Sequence, residues 1–350
     1  MKILFGVFEL GLGHATRCLP LINELSKKNE VHIISTGRAL KILKENFKDK
    51  CKYYDIPGIH SWYNSNFFKT NFVFNIHKIL YSLKKARIQS KIIIDREKFD
   101  LVISDCRYDI YDTNKNSFLI NHQLRLIAPK GVQGIIERYL FHKQKEYRKI
   151  IVPDFKKNDL SGKLSHDLKH IKEENIEYIG ILSHVKKLRL KEDIDLFISL
   201  SGPEKTRIKL EKEILSQIKS ISGKIIIAGG NPDNREKKEY KNIIFYSYLN
   251  NKQQEDIMNR SKFLIIRAGY TTIMELAELE KKALLIPSPG QTEQEYLTKY
   301  LMEKNYFYST KQKELNILKD LEIAKNFKGY TPKWKTKESV KNFMKAINLA

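Results

Sequence analysis

Short apolar runs alternate with amphipathic stretches along almost the whole chain, and this alternation constrains the fold more than any single motif does. Strand-like runs fall at 2–8, 31–35, 51–55, 100–104, 117–121 and 149–152, with helical patterns at 15–28, 38–46, 72–95 and 132–148. A second set has strands at 194–200, 224–228, 242–246, 262–266 and 283–286. Helices at 206–220, 250–260, 270–281 and 293–304 separate these, and a last helix covers 336–348. Strands joined through helices run parallel, and the helices cover both faces of the sheet. The 350 residues exceed what one core holds comfortably. The pattern therefore predicts an α/β protein of two doubly wound domains, 1–180 and 193–330, followed by a C-terminal segment 331–350. The charged run HVKKLRLKED (184–193), which follows the polar stretch after Pro153 and a short apolar run, marks the connection. Such sheets bind ligands at the carboxyl ends of their strands, so the cleft between facing domains is the expected site.

The first strand ends in FELGLGHATRCLP (8–20). Gly11 and Gly13 let the chain turn and let a ligand approach the backbone, and the helix behind them presents unpaired N–H groups. Thr16 stands where a dinucleotide fingerprint needs its third glycine, and the second strand ends in His32-Ile33-Ile34-Ser35-Thr36-Gly37 without an acid for ribose. A dinucleotide site is not expected. His14 is either a general base for a hydroxyl or a helix-capping or phosphate-contacting group. Asp105, at the end of an apolar strand, lies at the same sheet edge and either supports His14 as a dyad or caps a turn. Asn121-His122-Gln123 ends the next strand, with His122 either a wall of the site or a catalytic group.

The C-terminal half carries two kinds of signal. Ser201-Gly202-Pro203-Glu204 is another strand–glycine–helix turn that could cradle a diphosphate. RAGYTTIMELAELEKKALLIPSPGQTEQEYL (267–297) is more specific: Arg267 and Gly269 end one strand, Thr271, Thr272 and Glu275 open a helix, and Gly290, Gln291, Gln294 and Glu295 occupy the next turn and helix. A carboxylate there can accept from vicinal sugar hydroxyls. Equally, Glu275 and Glu295 read as first-turn acids favoured by the helix dipole. Asp193 and Asp195 spell D-x-D, but at the start of a strand, the wrong end for a metal-held diphosphate.

Charge and cysteines narrow the classes. Lys and Arg outnumber Asp and Glu 64 to 41, a net +23. This favours polyanionic partners, or spreads lysine over solvated faces. No acid lies between Asp55 and Asp95, where Lys69, Lys78, Lys84, Lys85, Arg87 and Lys91 interleave with aromatics. The 57–94 stretch is thus either a surface for anionic membrane or an internal helix with an acceptor loop. No nucleic-acid module accompanies the charge, so nucleic acid is not an expected partner. Cys18, Cys51 and Cys106 have no ligand spacing, which fits reduced thiols in a cytoplasm and no structural zinc. The N-terminal apolar run is broken by Glu9 and the glycine turn, unlike a secretory leader.

R-A-G-x-T-T-x-x-E followed by P-x-P-G-Q-x-E-Q resembles the donor-site signature of GT-B glycosyltransferases, nearest to the family that contains the peptidoglycan N-acetylglucosaminyltransferase (family 28-like). G-L-G-H-A-T-R, Ser104-Asp105, Asn121-His122-Gln123 and Ser201-Gly202-Pro203-Glu204 fall in the matching order. The resemblance implies a transferase moving a sugar from a nucleotide sugar, UDP-linked, to an acceptor hydroxyl of a glycan or lipid-linked molecule of the cell envelope, with inversion and no obligatory metal or other cofactor. By position, Glu275 would bind the ribose, and Ser201, Gly202 and Gly269 to Thr272 with Arg267 would face the diphosphate. Gly290, Gln291, Gln294 and Glu295 would meet the donor sugar, and Tyr248 would flank the base. His14, with Asp105, would stand beside the reacting hydroxyl, and Gly11, Gly13, Arg17 and His122 would line the acceptor and phosphate loop. The last helix would return to the N-terminal domain. A cytoplasmic protein, peripheral on the inner membrane face, is the corresponding location. The glycine turns are shorter than the peptidoglycan enzymes carry, which leaves the acceptor and the donor sugar open. Some proteins of the same architecture hydrolyse or epimerise nucleotide sugars, so a hydrolase or epimerase is the alternative activity.

Overall fold

The computed structural model describes residues 1–58, 72–114, 116–127, 130–231 and 234–349. The chain forms two compact units, Met1–His184 with Lys333–Ala350, and Val185–Pro332.

Unit 1 is built from β1 (Lys2–Val7), α1 (Leu12–Leu25), β2 (Glu30–Ser35), α2 (Gly37–Phe47), β3 (Cys51–Asp55), α3 (Phe72–Glu97), β4 (Leu101–Asp105), β5 (Ser117–Ile120), α4 (Lys130–Gln144), β6 (Lys149–Val152) and β7 (Ile176–Tyr178). The sheet order is β3-β2-β1-β4-β5-β6-β7, parallel throughout. β1 and β4 read as unbroken apolar runs because helices cover both faces, and every residue from Ile3 to Val7 is buried. Leu4, Ile34, Val102, Ile110 and Phe99 pack one face, with Ile94 of α3 against them. The polar stretch after Pro153 belongs to unit 1. Asp154 is fully buried and accepts from the N–H groups of Phe155, Leu160 and Ser161 and from the Ser161 hydroxyl, folding the segment into unit 1.

Unit 2 contains β8 (Ile194–Ser199), α5 (Glu204–Gln217), β9 (Ile225–Ala228), β10 (Lys237–Tyr240), β11 (Ile243–Tyr246), α6 (Asn251–Arg260), β12 (Ser261–Arg267), α7 (Tyr270–Leu279), β13 (Ala283–Ile286), α8 (Thr292–Glu303), β14 (Tyr308–Ser309) and α9 (Ile317–Lys325). The order is β10-β11-β9-β8-β12-β13-β14, with β10 antiparallel at the edge. Leu196, Ile198, Ile225, Ile227, Ile265, Leu284 and Ile286 meet Leu210 and Ile214 of α5 in the core. α10 (Thr336–Ala346) belongs to unit 1: it packs on α1, its Asn342 Nδ2 donates to Ile179 O at 3.3 Å, and Trp334 Nε1 just before it donates to the same carbonyl at 2.9 Å.

In both sheets the chain reverses direction across the sheet beside its first strand, between β1 and β4 in unit 1 and between β8 and β12 in unit 2. Each unit thus has its own crevice at that point.

Candidate active site

At the reversal point of unit 1, Val7 and Asp105 are register partners at the ends of β1 and β4. Gly11 caps α1 with φ 78° and ψ 153°, a conformation that favours glycine. Gly13 lies inside the first turn of α1, so a single glycine makes the bend. The helix carries His14 over the end of β4, where its Nδ1 meets Asp105 Oδ2 at 2.6 Å. The Phe8 ring stands edge-on to His14 with centroids 5.0 Å apart. The His14 side chain is 18% exposed, while Asp105 is fully buried.

Burial alone would push the Asp105 carboxyl up, but the Arg17 guanidinium and His14 outweigh it and hold the group below its ordinary value. Asp105 is therefore ionised at neutral pH and accepts the Nδ1 proton of His14. Nε2 is left as the basic nitrogen. Asp105 thus pairs with the His14 side chain and does not merely cap a turn.

Arg17 does not line a phosphate loop. It is 1% exposed and turned inward, with Nε and Nη2 donating to Asp105 Oδ1 at 3.0 and 2.5 Å, and Nη2 also reaching Cys106 Sγ at 3.4 Å. Its Nη1 lies 3.0 Å from Nδ1 of His122, itself buried beyond the end of β5. The physical reason is charge: a carboxylate as buried as Asp105 needs a fully committed cation. Cys106, next in the chain, takes a left-handed φ of 56°. Strain of this kind tends to collect at functional sites.

The sequence reading missed a second buried group behind this one. Arg107 grips Asp109 through two bonds of 2.8 and 2.7 Å and reaches Glu9 Oε2 at 3.3 Å and the Ile56 carbonyl at 3.2 Å. All three charged residues are at most 5% exposed. They fasten the loop between β1 and α1 to the ends of β3 and β4. The signal was present in Glu9, an acid at the end of an apolar strand, but its partner is 98 residues away.

In unit 2 the crevice is made of turns. A Cβ on Gly202 would lie 3.3 Å from Ser288 Oγ, so the Ser201-Gly202-Pro203 turn rests on the Pro287–Gln291 turn. Gly229-Gly230, after β9, is a third member that the sequence reading passed over: a Cβ on Gly230 would fall 2.0 Å from the Leu200 carbonyl, so only glycine fits. Arg207 Nη1 donates to Gly229 O at 2.7 Å.

Arg267 departs from its expected role facing a diphosphate. It is 2% exposed and donates to the carbonyls of Pro287 at 3.1 Å and Thr206 at 3.2 Å, and to Gln312 Oε1 at 2.8 Å. Burial pulls its guanidinium down to about 10. It braces the turns from behind. Gln294 and Glu295 likewise fold back on their own turn, accepting from Ser288 N at 2.8 Å and Gly290 N at 2.9 Å. Gln294 also donates to Gln291 Oε1. Glu295 is exposed, as a first-turn acid of α8 should be. Glu275 is different: it sits more than a turn into α7, 3% exposed, and a merely dipole-favoured acid would face water. Thr271 and Thr272 are half-buried at the start of α7, behind Gly269. Tyr248 is half-buried too, with the Arg235 guanidinium 4.2 Å above its ring.

Among the described residues two groups have metal-type ligands close together, His14–Asp105–Cys106 and Asp154–Asp159–His166. In the first, the guanidinium of Arg17 already occupies the cation position beside Asp105. In the second, backbone and hydroxyl donors saturate Asp154. The D-x-D acids are neutralised by Arg260, Lys224 and Lys262 at the amino end of β8.

The sequence model of the glycosyltransferase family 28 C-terminal domain matches residues 191–347, and that of glycosyl transferase family 1 matches residues 1–149. No curated protein sequence matches the chain. Among solved structures, the glycotransferase of kitacinnamycin aligns with TM-score 0.64 at 11% identity, over 99% of this chain and 97% of that one. MurG of Acinetobacter baumannii aligns with TM-score 0.62 at 12% identity, over 100% and 99%. The glycosyltransferase SnogD from Streptomyces nogalater gives 0.63 at 12%, over 99% and 95%. At such identities the likeness shows the fold, which is GT-B.

Proposed function

For this chain, a GT-B glycosyltransferase resembling family 28, we propose transfer of a sugar from a nucleotide sugar, UDP-linked, to an acceptor hydroxyl with inversion at the anomeric carbon. The observation that carries the reading is the His14–Asp105 pair at the reversal point of unit 1. His14 Nε2 takes the acceptor proton, the freed oxygen bonds to the anomeric carbon, and the bond from that carbon to the diphosphate oxygen breaks. The nucleoside diphosphate departs with the electron pair. Proton transfer of this kind typically contributes ~10²–10⁴-fold.

Unit 2 supplies the donor side of the proposal. Glu275 takes the ribose hydroxyls, Tyr248 flanks the base, and the amides around Gly202 and Gly269–Thr272 stabilise the departing diphosphate. The proposed reaction needs no metal ion; among the described residues, Asp105, Asp154 and the D-x-D acids Asp193 and Asp195 are each engaged by protein cations or donors.

The acceptor is proposed to be lipid-linked and met at an anionic membrane surface. On α3, Tyr81, Ile88 and Ile92 are 70, 53 and 59% exposed along one face, beside exposed Lys84 and Lys85. Not all of the basic stretch contributes: Arg87 turns inward to the Tyr111 carbonyl and Lys91 pairs with Asp95. Residues 59–71 of that stretch lie outside the described residues. Among the described residues no helix is long and apolar enough to cross a membrane, so the proposed attachment is peripheral.

The test is a panel of nucleotide sugars scored by thermal shift and by product, with wild type and Glu275→Ala. Stabilisation by one donor, lost in the variant, with sugar appearing only on an added hydroxyl acceptor, is the expected result. Free or epimerised sugar without acceptor would replace transfer by hydrolysis or epimerisation. Retention of the anomeric configuration would remove the inverting step, and failure to sediment with anionic vesicles at low salt would remove the membrane step.

A further inference from the structure

Two histidines stand at the carboxyl edge of the unit 1 sheet, and the geometry points to Arg17 as the positioning residue that gives them opposite tautomers, so that only His14 can serve as a base. A guanidinium has donors and no acceptor. Arg17 gives Nε and Nη2 to the same oxygen, Asp105 Oδ1, which leaves Oδ2 for His14 Nδ1. An ionised carboxylate only accepts, so neutral His14 carries its proton on Nδ1 and its lone pair on Nε2.

The remaining fork of Arg17 imposes the reverse on His122. Nη1 lies 3.0 Å from His122 Nδ1 and can only donate, so that nitrogen must hold a lone pair and the ring proton sits on Nε2. Arg17 and His122 are 1 and 4% exposed, so water does not relax this constraint. One planar cation thus reads out to two rings, and its charge is fixed by Asp105 at 2.5 Å. A lysine could not do the same, because a single ammonium lacks the fork that spans carboxylate and imidazole together. His122 becomes a hydrogen-bond donor held beside the dyad, excluded from the base role that its position at the sheet edge would otherwise allow.

The inference concerns the same edge as the proposed transfer, but its first measurement needs no substrate. The full chain labelled with ¹⁵N-histidine is examined by long-range ¹H–¹⁵N correlation at neutral pH, with the two rings assigned through His14→Gln and His122→Gln. His14 should show a protonated Nδ1 and a bare Nε2, and His122 the opposite. Arg17→Met should abolish the His122 pattern. Arg17→Lys should weaken it while the His14 pattern survives, with kcat about 10²-fold lower and donor KM unchanged. A wild-type His122 protonated on Nδ1, or a His122 pattern untouched by Arg17→Met, overturns the assignment. Should the Arg17 variants not fold, the wild-type spectrum, assigned through the two histidine variants, decides on the tautomers. The tautomers found as stated, with no nucleotide sugar turned over, would sink the transferase reading and leave the role of Arg17 standing.

Discussion

The two sheets share a six-stranded parallel order that reverses beside the first strand, and they place opposite chemistry at that point. At the reversal point of unit 1, side chains converge: His14 and Arg17 from α1 and Asp105 from β4 bond one another directly. At the reversal point of unit 2, backbone converges: the Ser201–Pro203, Gly229-Gly230 and Pro287–Gln291 turns rest on each other. Of the buried arginines at the two edges, Arg17 and Arg267 are used differently. Arg17 neutralises a carboxylate and orients two imidazoles, whereas Arg267 holds carbonyls and an amide. In the proposed reaction one edge moves a proton and the other presents amides and small side chains to the departing diphosphate.

The sharpest way to break this comparison is at Asp105. Asp105→Asn keeps the shape but cannot enforce the His14 tautomer, and it leaves Arg17 charged and buried. We expect kcat to fall on the order of 10⁴-fold, with stability lowered by about 3–5 kcal/mol, read by steady-state kinetics and urea unfolding. His14→Ala should separate the two consequences. The side chain is partly exposed, so kcat should drop ~10²–10⁴-fold with the melting temperature nearly unchanged. Comparable turnover in wild type and His14→Ala would remove the base from unit 1 altogether.

Unit 2 should answer in binding instead. Glu275→Ala is expected to weaken nucleotide-sugar affinity by roughly 10–100-fold, the scale of hydrogen bonds to a charged acceptor, by calorimetry, with the unit 1 tautomers intact. Arg267→Met should destabilise by only about 1–2 kcal/mol, since it removes hydrogen bonds to neutral acceptors without stranding a carboxylate. Arg17→Met should cost about 3–5 kcal/mol. Equal losses from the two arginines would mean that the edges are less different than their contacts suggest.

What the sequence revealed follows the same division. Strand ends were legible because buried parallel strands are continuous apolar runs, and His14, Asp105 and His122 could be placed at one edge by that alone. β10 was not legible: Lys-Lys-Glu-Tyr at an exposed edge has neither alternation nor apolar content, and its pairing with β11 is set by the neighbouring turn. β14 is two residues long and carries no pattern. The Glu9–Arg107–Asp109 group was invisible because charged residues read as solvated until a distant partner appears. Arg17 was placed correctly beside His14 but aimed wrongly, since sequence tells which residues share a turn and not which of them turns inward. In unit 2 the signature motif located the turns, yet Arg267 and Gln294 proved to brace them rather than extend from them.

The smallest effect is a pH dependence that should be absent over a wide range. The Asp105 carboxyl is held below its ordinary value, so the stability it contributes is fully present above about pH 4 and is lost only as pH falls through its lower folded value. Arg267 is pulled down, by burial, to about 10, so its linkage acts on the other side of neutrality. Its folded form releases the proton before the unfolded one does, and the effect is confined to higher pH. Between about pH 5 and 9 neither buried charge changes, and the stability difference between wild type and Asp105→Asn should be flat there. It should shrink only on further acidification. Any change of kcat within that window then comes from groups other than Asp105 and Arg267. Measuring unfolding free energy and kcat over the same pH series separates the two: a sloping stability difference near neutrality would mean that Asp105 is not held ionised, and the opposition between the two edges would lose its electrostatic basis.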